Sequence, residues 1–160
     1  MTGMCRDSSD RRVRLAVAVL ALCGAGIASP CAAAWKEITR SGDGLMTFYG
    51  DPKSIVAHGG HVRVRLLFDY AQLQQDPDTL IEHRSTIELL AVDCAGRRIA
   101  PMQATSYEAN MGKGRPVVRN APVAEPALRF VKAAPASVDD KVVTFACRSR
   151  PGRRSPAAHH

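Results

Sequence analysis

The segment HVRVRLLFDY, His61 to Tyr70, alternates apolar and polar side chains almost without a break. Val62, Val64, Leu66, Phe68 and Tyr70 fall on one face, and Arg63, Arg65 and Asp69 on the other. That period of two belongs to an antiparallel strand with one face on a core. Gly59-Gly60 supplies a turn just before it. Upstream, residues 35–40 and 45–51 flank Ser41-Gly42-Asp43-Gly44, whose glycines and aspartate accept the positive φ of a tight turn, so a β-hairpin is expected. Downstream, residues 73–78 read as a polar loop. Residues 84–94 then carry apolar residues on both faces, which predicts a central strand ending at Ala95-Gly96. Residues 97–107 read as its hairpin partner, with Pro101 marking an edge or a bulge. Glycine and proline dominate residues 110–126, which read as a long loop.

The last element has two competing signals. Val142-Val143-Thr144-Phe145 has strand propensity, whereas Pro135-Ala136-Ser137 followed by Val138-Asp139-Asp140 has the form of a helix start. Ser137 would be the N-cap, and the two acids would sit where the helix dipole favours negative charge. The reading adopted is a short helix from Val138 to about Cys147, with Val138, Val142, Phe145 and Ala146 toward the sheet. The fold expected is α+β: an antiparallel sheet of about five to six strands with a C-terminal helix packed on it.

Residues 1–34 read as a cleavable signal peptide. Arg11, Arg12 and Arg14 precede the apolar run Leu15 to Leu22, and Ala32-Ala33-Ala34 has the small-residue form of a cleavage site. Gly24, Gly26, Ser29 and Pro30 interrupt the apolar run too early for a membrane span, which needs roughly 20 apolar residues. Leu22 stands where lipidation at Cys23 would want a small residue, so a lipid anchor is not expected. Membrane contact is limited to the export signal, and the destination is the periplasm or the cell surface. Removal of the leader takes Cys5, Cys23 and Cys31 with it and leaves Cys94 and Cys147 in an oxidising compartment. One disulfide follows, from the central strand to the helix; closing a loop of this length is worth about 4 kcal/mol in the chain-entropy model.

The chain carries a formal net charge of +7. Two of those charges leave with the leader and four belong to Arg148, Arg150, Arg153 and Arg154, so residues 35–147 are nearly neutral. A nearly neutral body argues against nucleic acid as a partner. Residues 148–160, with Pro151, Gly152 and Pro156, read as a basic flexible tail. Residues 35–147 form one domain with a single modest core.

No motif for catalysis is legible. His58 and His61 flank a turn with no carboxylate or thiol near them in sequence, so a metal is not expected there. His159-His160 at the terminus are no better placed. Asp76, Asp78 and Glu82 lack the ligand number and turn glycine of a calcium loop. His83, Ser85 and Asp93 supply triad residue types without a nucleophile motif. Gly112-Lys113-Gly114-Arg115 is too short for a phosphate loop, although Lys113 and Arg115 could form a small anion-binding rim. No enzyme activity and no cofactor are expected.

Several short pieces recur in a familiar order. They are Trp35-Lys36-Glu37-Ile38, Tyr49-Gly50-Asp51-Pro52-Lys53-Ser54-Ile55, Leu67-Phe68-Asp69-Tyr70, Ser85 leading to Asp93-Cys94, Met111-Gly112-Lys113-Gly114, Pro135-Ala136-Ser137 and Cys147. In this order the chain resembles the surface-adhesin protein E family of proteobacteria over nearly all of residues 35–147. The resemblance implies an antiparallel sheet with a disulfide-held C-terminal helix. It also implies a non-catalytic binding module of the cell envelope that contacts a host matrix protein, a glycan or an envelope component. Lys113, Arg115 and the four tail arginines are the candidate contact residues. The alternative is a structural periplasmic protein that self-assembles, as a homodimer through an exposed sheet edge.

Overall fold

A computed structural model describes residues 34–148. The expected leader and the tail beyond Arg148, with Arg150, Arg153 and Arg154, lie outside them. The strands are β1 (Lys36–Arg40), β2 (Met46–Gly50), β3 (Val56–His58), β4 (His61–Gln75), β5 (Glu82–Asp93), β6 (Arg98–Tyr107), β7 (Pro116–Arg119) and β8 (Val131–Lys132), followed by helix α1 (Val138–Arg148). Three 3-10 turns interrupt them at Pro52–Ser54, Asn110–Gly112 and Glu125–Ala127. All eight strands join one antiparallel sheet in the order β1-β2-β4-β5-β6-β7, with β3 paired to β4 and β8 to β6. The sheet is therefore larger than the five to six strands expected, because the two shortest strands attach beside the main path.

The alternation in residues 61–70 has the expected result. Val62, Val64 and Leu66 are buried beneath α1 with Leu90 and Val92 of β5, and Phe68 packs at the rim of this cluster. Val142, Val143 and Ala146 close it from the helix side. Helix α1 begins where the capping signal placed it: the Ser137 hydroxyl accepts from the Asp140 amide at 3.2 Å. Arg97, on the β5–β6 turn, donates to the Asp140 carboxylate and holds it below the usual carboxylate range. Cys94 and Cys147 are bonded, with their Cα atoms 5.7 Å apart, so helix and central strand are clamped together. Gly50 is needed beneath the helix, since a Cβ there would lie 2.2 Å from the Phe145 ring.

Pro101 sits at a bulge: Leu89 pairs with Gln103 and Leu90 with Pro101, leaving Met102 as the extra residue. Two expectations need correcting. Residues 73–78 are not wholly a loop, because β4 continues to Gln75 and pairs Gln74 with His83 and Gln75 with Glu82. Their polar composition hid a strand that has no core to face. Residues 110–126 are not one loop either; they hold β7 and two 3-10 turns, and β7 pairs with β6 through backbone bonds that composition does not report.

Candidate functional site

The face of the sheet opposite α1 carries Arg63, Arg65, Leu67 and Asp69 of β4, and Ser85, Ile87, Leu89 and Ala91 of β5 opposite them. Among the described residues it is covered only at its two ends. At one end, the 3-10 turn at Asn110–Gly112 is drawn onto the sheet by polar contacts: the Met111 amide donates to Asp69 at 2.6 Å and the Gly112 amide to the Ser85 hydroxyl at 3.0 Å. Gly112, at φ +68°, lies so close to Ile87 that a Cβ would clash with it. At the other end, Leu128 and Phe130 pack on Ala91, Ala100 and Met102. Between them lies a depression of about 200 Å³ lined by Arg65, Ile87, Leu89, Gln103, Thr105 and Tyr107. Trp35 stands at its margin, with the Arg65 guanidinium 5.9 Å from its ring centre.

The glycine-rich loop flanks this depression. It carries Lys113, whereas Arg115 is held by Glu108 at 2.5 Å, which lowers the Glu108 pKa and commits much of that cation's charge. Arg148 stands apart, at the end of α1. It lines a cleft of about 340 Å³ between α1 and edge strand β1, together with Lys36, Glu37, Ile38, Lys141, Thr144 and Phe145. Glu37 is bound by Arg40 at 3.0 Å, so Lys36, Lys141 and Arg148 give the cleft its charge. Sequence reasoning named Arg148 as tail and did not name Lys36 or Lys141 as contact residues. The signal available was the helical spacing of Lys141, Thr144, Phe145 and Arg148, which puts all four on one face.

The two turn histidines acquire a carboxylate from far along the chain. Glu125 Oε1 lies 3.6 Å from His58 Nε2 and its Oε2 lies 3.5 Å from His61 Nε2, while Arg63 makes a close ion pair with Oε1. The Arg63 hydrogen bond is the main reason that Glu125 is held below the usual carboxylate range. The arginine occupies the carboxylate, and among the described residues no set of three His, Cys, Asp or Glu side chains is arranged to hold a metal. Phe130 stacks edge-on against His61, so the cluster fastens the 123–130 strap to the β3–β4 turn.

The triad residue types are placed in structural contacts. His83 is buried against Tyr70, Ser85 donates to the Ala109 carbonyl at 2.6 Å, and Asp93 accepts from the Ala95 and Gly96 amides and from Arg98. Glu88, on the helix face of β5, has no ion-pair partner among the described residues. Burial, and secondarily the charge of Asp139, pushes it up to about 7. No described helix is long and apolar enough to cross a membrane.

Among curated proteins, none matches the sequence. The solved structure of Haemophilus influenzae protein E is similar at 17% identity and a TM-score of 0.50, covering 68% of this chain and 82% of that one. Its selenomethionine form gives 16% identity, the same TM-score, and 70% and 85% coverage. At such identity the likeness is one of fold. The sequence model of the surface-adhesin protein E family matches residues 35–148, the whole sheet and its disulfide-clamped helix, and the chain belongs to that family.

Proposed function

We propose that this protein is an exported, non-catalytic binding module of the bacterial cell envelope, which adheres to a host matrix protein, a glycan or an envelope component. The observation that carries this reading is the depression on the helix-free face, where Trp35, Arg65 and Tyr107 stand beside Ile87 and Leu89. Half-buried Trp35 and Tyr107 with exposed Arg65 around an apolar centre are of the residue types that dominate the energy of protein contacts. Lys113, and Arg115 once released from Glu108, extend the contact along the glycine-rich loop. Arg148, Arg150, Arg153 and Arg154 add a salt-sensitive attraction to anionic surfaces. Export rests on the leader, residues 1–34, and places the domain in the periplasm or at the cell surface.

The test is a surface-sensor assay of the exported protein against matrix proteins, glycosaminoglycans and lipopolysaccharide at moderate salt. Saturable binding that Arg65→Ala and Tyr107→Ala weaken at least about tenfold supports the reading, since a hot-spot truncation costs roughly 2 kcal/mol or more. Absence of binding to all three classes, or binding indifferent to both substitutions, overturns it.

A further inference from the structure

The cleft of about 340 Å³ between α1 and β1 takes no part in adhesion through the depression, and its cations are set out at a definite spacing. Lys141 Nζ donates to Thr39 Oγ1 at 2.9 Å, which ties the first turns of α1 to β1. Arg148 follows Lys141 by seven residues, two turns of helix or roughly 10 Å along α1. Lys36 precedes Thr39 by three residues, also roughly 10 Å along an extended strand. The cleft therefore carries one cation where α1 and β1 touch, and two more, Lys36 and Arg148, a fixed distance from that contact.

Between the charges, half-buried Ile38 and Phe145 form an apolar wall. Glu37 is the one acid lining the cleft, and both of its oxygens accept from Arg40. Lys36, Lys141 and Arg148 make no ion pair among the described residues. Like charges gathered along a low-dielectric wall concentrate the field and draw in anions. The occupant that suits this layout has two anionic groups roughly 10 Å apart and something apolar between them.

Neither remaining segment of the chain has that chemistry, because residues 149–160 carry three arginines and no acid, and residues 1–33 carry four arginines against two aspartates. An added peptide strand is disfavoured as well. The register of β1 against β2 shifts at Ile38, and the strand carries exposed Lys36 and Arg40; a bulge and charges of this kind blunt a sheet edge against further pairing. The residues that follow Arg148 point to a different partner. Three more arginines without an acid match a membrane surface crowded with phosphate, to which each such cation adds attraction.

We infer that the β1–α1 cleft binds the headgroup of a bisphosphorylated glycolipid in a membrane surface of the envelope. One phosphate meets Lys141 and the other meets Lys36 and Arg148, whose guanidinium suits phosphate in a two-pronged contact. The first methylenes of an acyl chain cover Ile38 and Phe145. A disaccharide phosphorylated at both ends has the reach that this spacing asks for, whereas an ordinary phospholipid offers a single phosphate. Such a contact holds the domain at a membrane without a lipid of its own. It goes beyond adhesion and uses neither the depression nor the glycine-rich loop.

The test is flotation of the exported protein with phosphatidylcholine vesicles that carry one of three additions at equal total charge: a disaccharide lipid phosphorylated at both ends, the same lipid phosphorylated at one end, or phosphatidylglycerol. Affinity for the bisphosphorylated lipid should exceed the other two at least about tenfold, the value of one well-placed charged contact. Lys141→Ala with Arg148→Ala should lower that affinity about 30-fold, from two cations removed at the membrane surface. Lys132→Ala with Arg119→Ala removes the same charge from β8 and β7, across the sheet from β1, and should change it less than about threefold. All four residues are exposed, so both variants keep the fold. Equal affinity for the three vesicles overturns the proposal, since it leaves only adsorption by charge. Equal losses in the two variants, no vesicle binding, or a glutamate-rich peptide taking the cleft in place of the vesicles overturn it too. Matrix binding that still depends on Arg65 and Tyr107 would leave the adhesion reading intact in each of these cases.

Discussion

Strands β4 and β5 lead two different lives along their length. Between Val62 and Phe68 their apolar side chains are covered by α1 and held there by the Cys94–Cys147 bond. Past Tyr70 and Ser85 the same hairpin runs on as an arm with polar residues, three exposed apolar ones and, among the described residues, no layer above them. The inner half shows where stability is built, and the outer half shows where surface is left available. A strand needs neighbouring backbone to form, but it needs a covering layer to stabilise the domain.

Breaking the clamp should have the largest effect. Cys94→Ser or Cys147→Ser should cost about 4 kcal/mol, the loop-closure value for a separation of 53 residues. Thermal melts should show a large drop for either variant, and reduction should bring the native protein to the same point. An equal melting temperature with and without reductant would remove the clamp from the account.

The two halves can be compared by the same substitution. Leu66→Ala, in the fully buried cluster, should destabilise by about 2–5 kcal/mol. Leu73→Ala, on the exposed arm, should fall within about 0.5 kcal/mol of the native protein. Denaturant midpoints check both, and similar losses at the two sites would mean that the arm is covered in solution.

Glu88 sharpens the comparison on the helix side. Its folded pKa, about 7, lies above the unfolded value, so the folded state holds the proton more tightly. Its contribution favours folding at low pH and is lost as the pH rises from about 4.5 to about 7. Glu88→Gln should therefore stabilise at pH 8 by about 1–3 kcal/mol and have little effect at pH 4. Unfolding curves at the two pH values read the difference; a substitution effect independent of pH would show that Glu88 titrates normally.

The smallest effect is expected at the arm's tip. Leu80→Gly relieves a positive φ and should raise monomer stability by up to about 1 kcal/mol, although it removes a large side chain. Such a gain from deleting an apolar residue would separate the arm from the core. A loss of several kcal/mol would place Leu80 in the folding unit.

Much of the fold was legible because its signals are local. The alternation of residues 61–70 specified the strand and its buried face. Ser137 with Asp139 and Asp140 specified the helix start, and the expectation that residues 1–34 are removed left two cysteines, Cys94 and Cys147, which are bonded in the structure. The arm was not legible, because Gln72, Gln74 and Gln75 are strand residues without a core to alternate against. The candidate surfaces were legible only in pieces: Lys113 and Arg148 were named as contact residues, whereas Lys36 and Lys141 were not.

The sequence by itself determined the strand faces, the helix and the pairing of Cys94 with Cys147, since spacing, capping and cysteine number act over a few residues or by elimination. Only the tertiary structure decided which charged and polar side chains meet. Glu125 reaches Arg63, 62 positions earlier, and Lys141 reaches Thr39 across 102 positions. Such contacts have no period and no local spacing, because they arise when packed elements bring exposed side chains together after the core has formed.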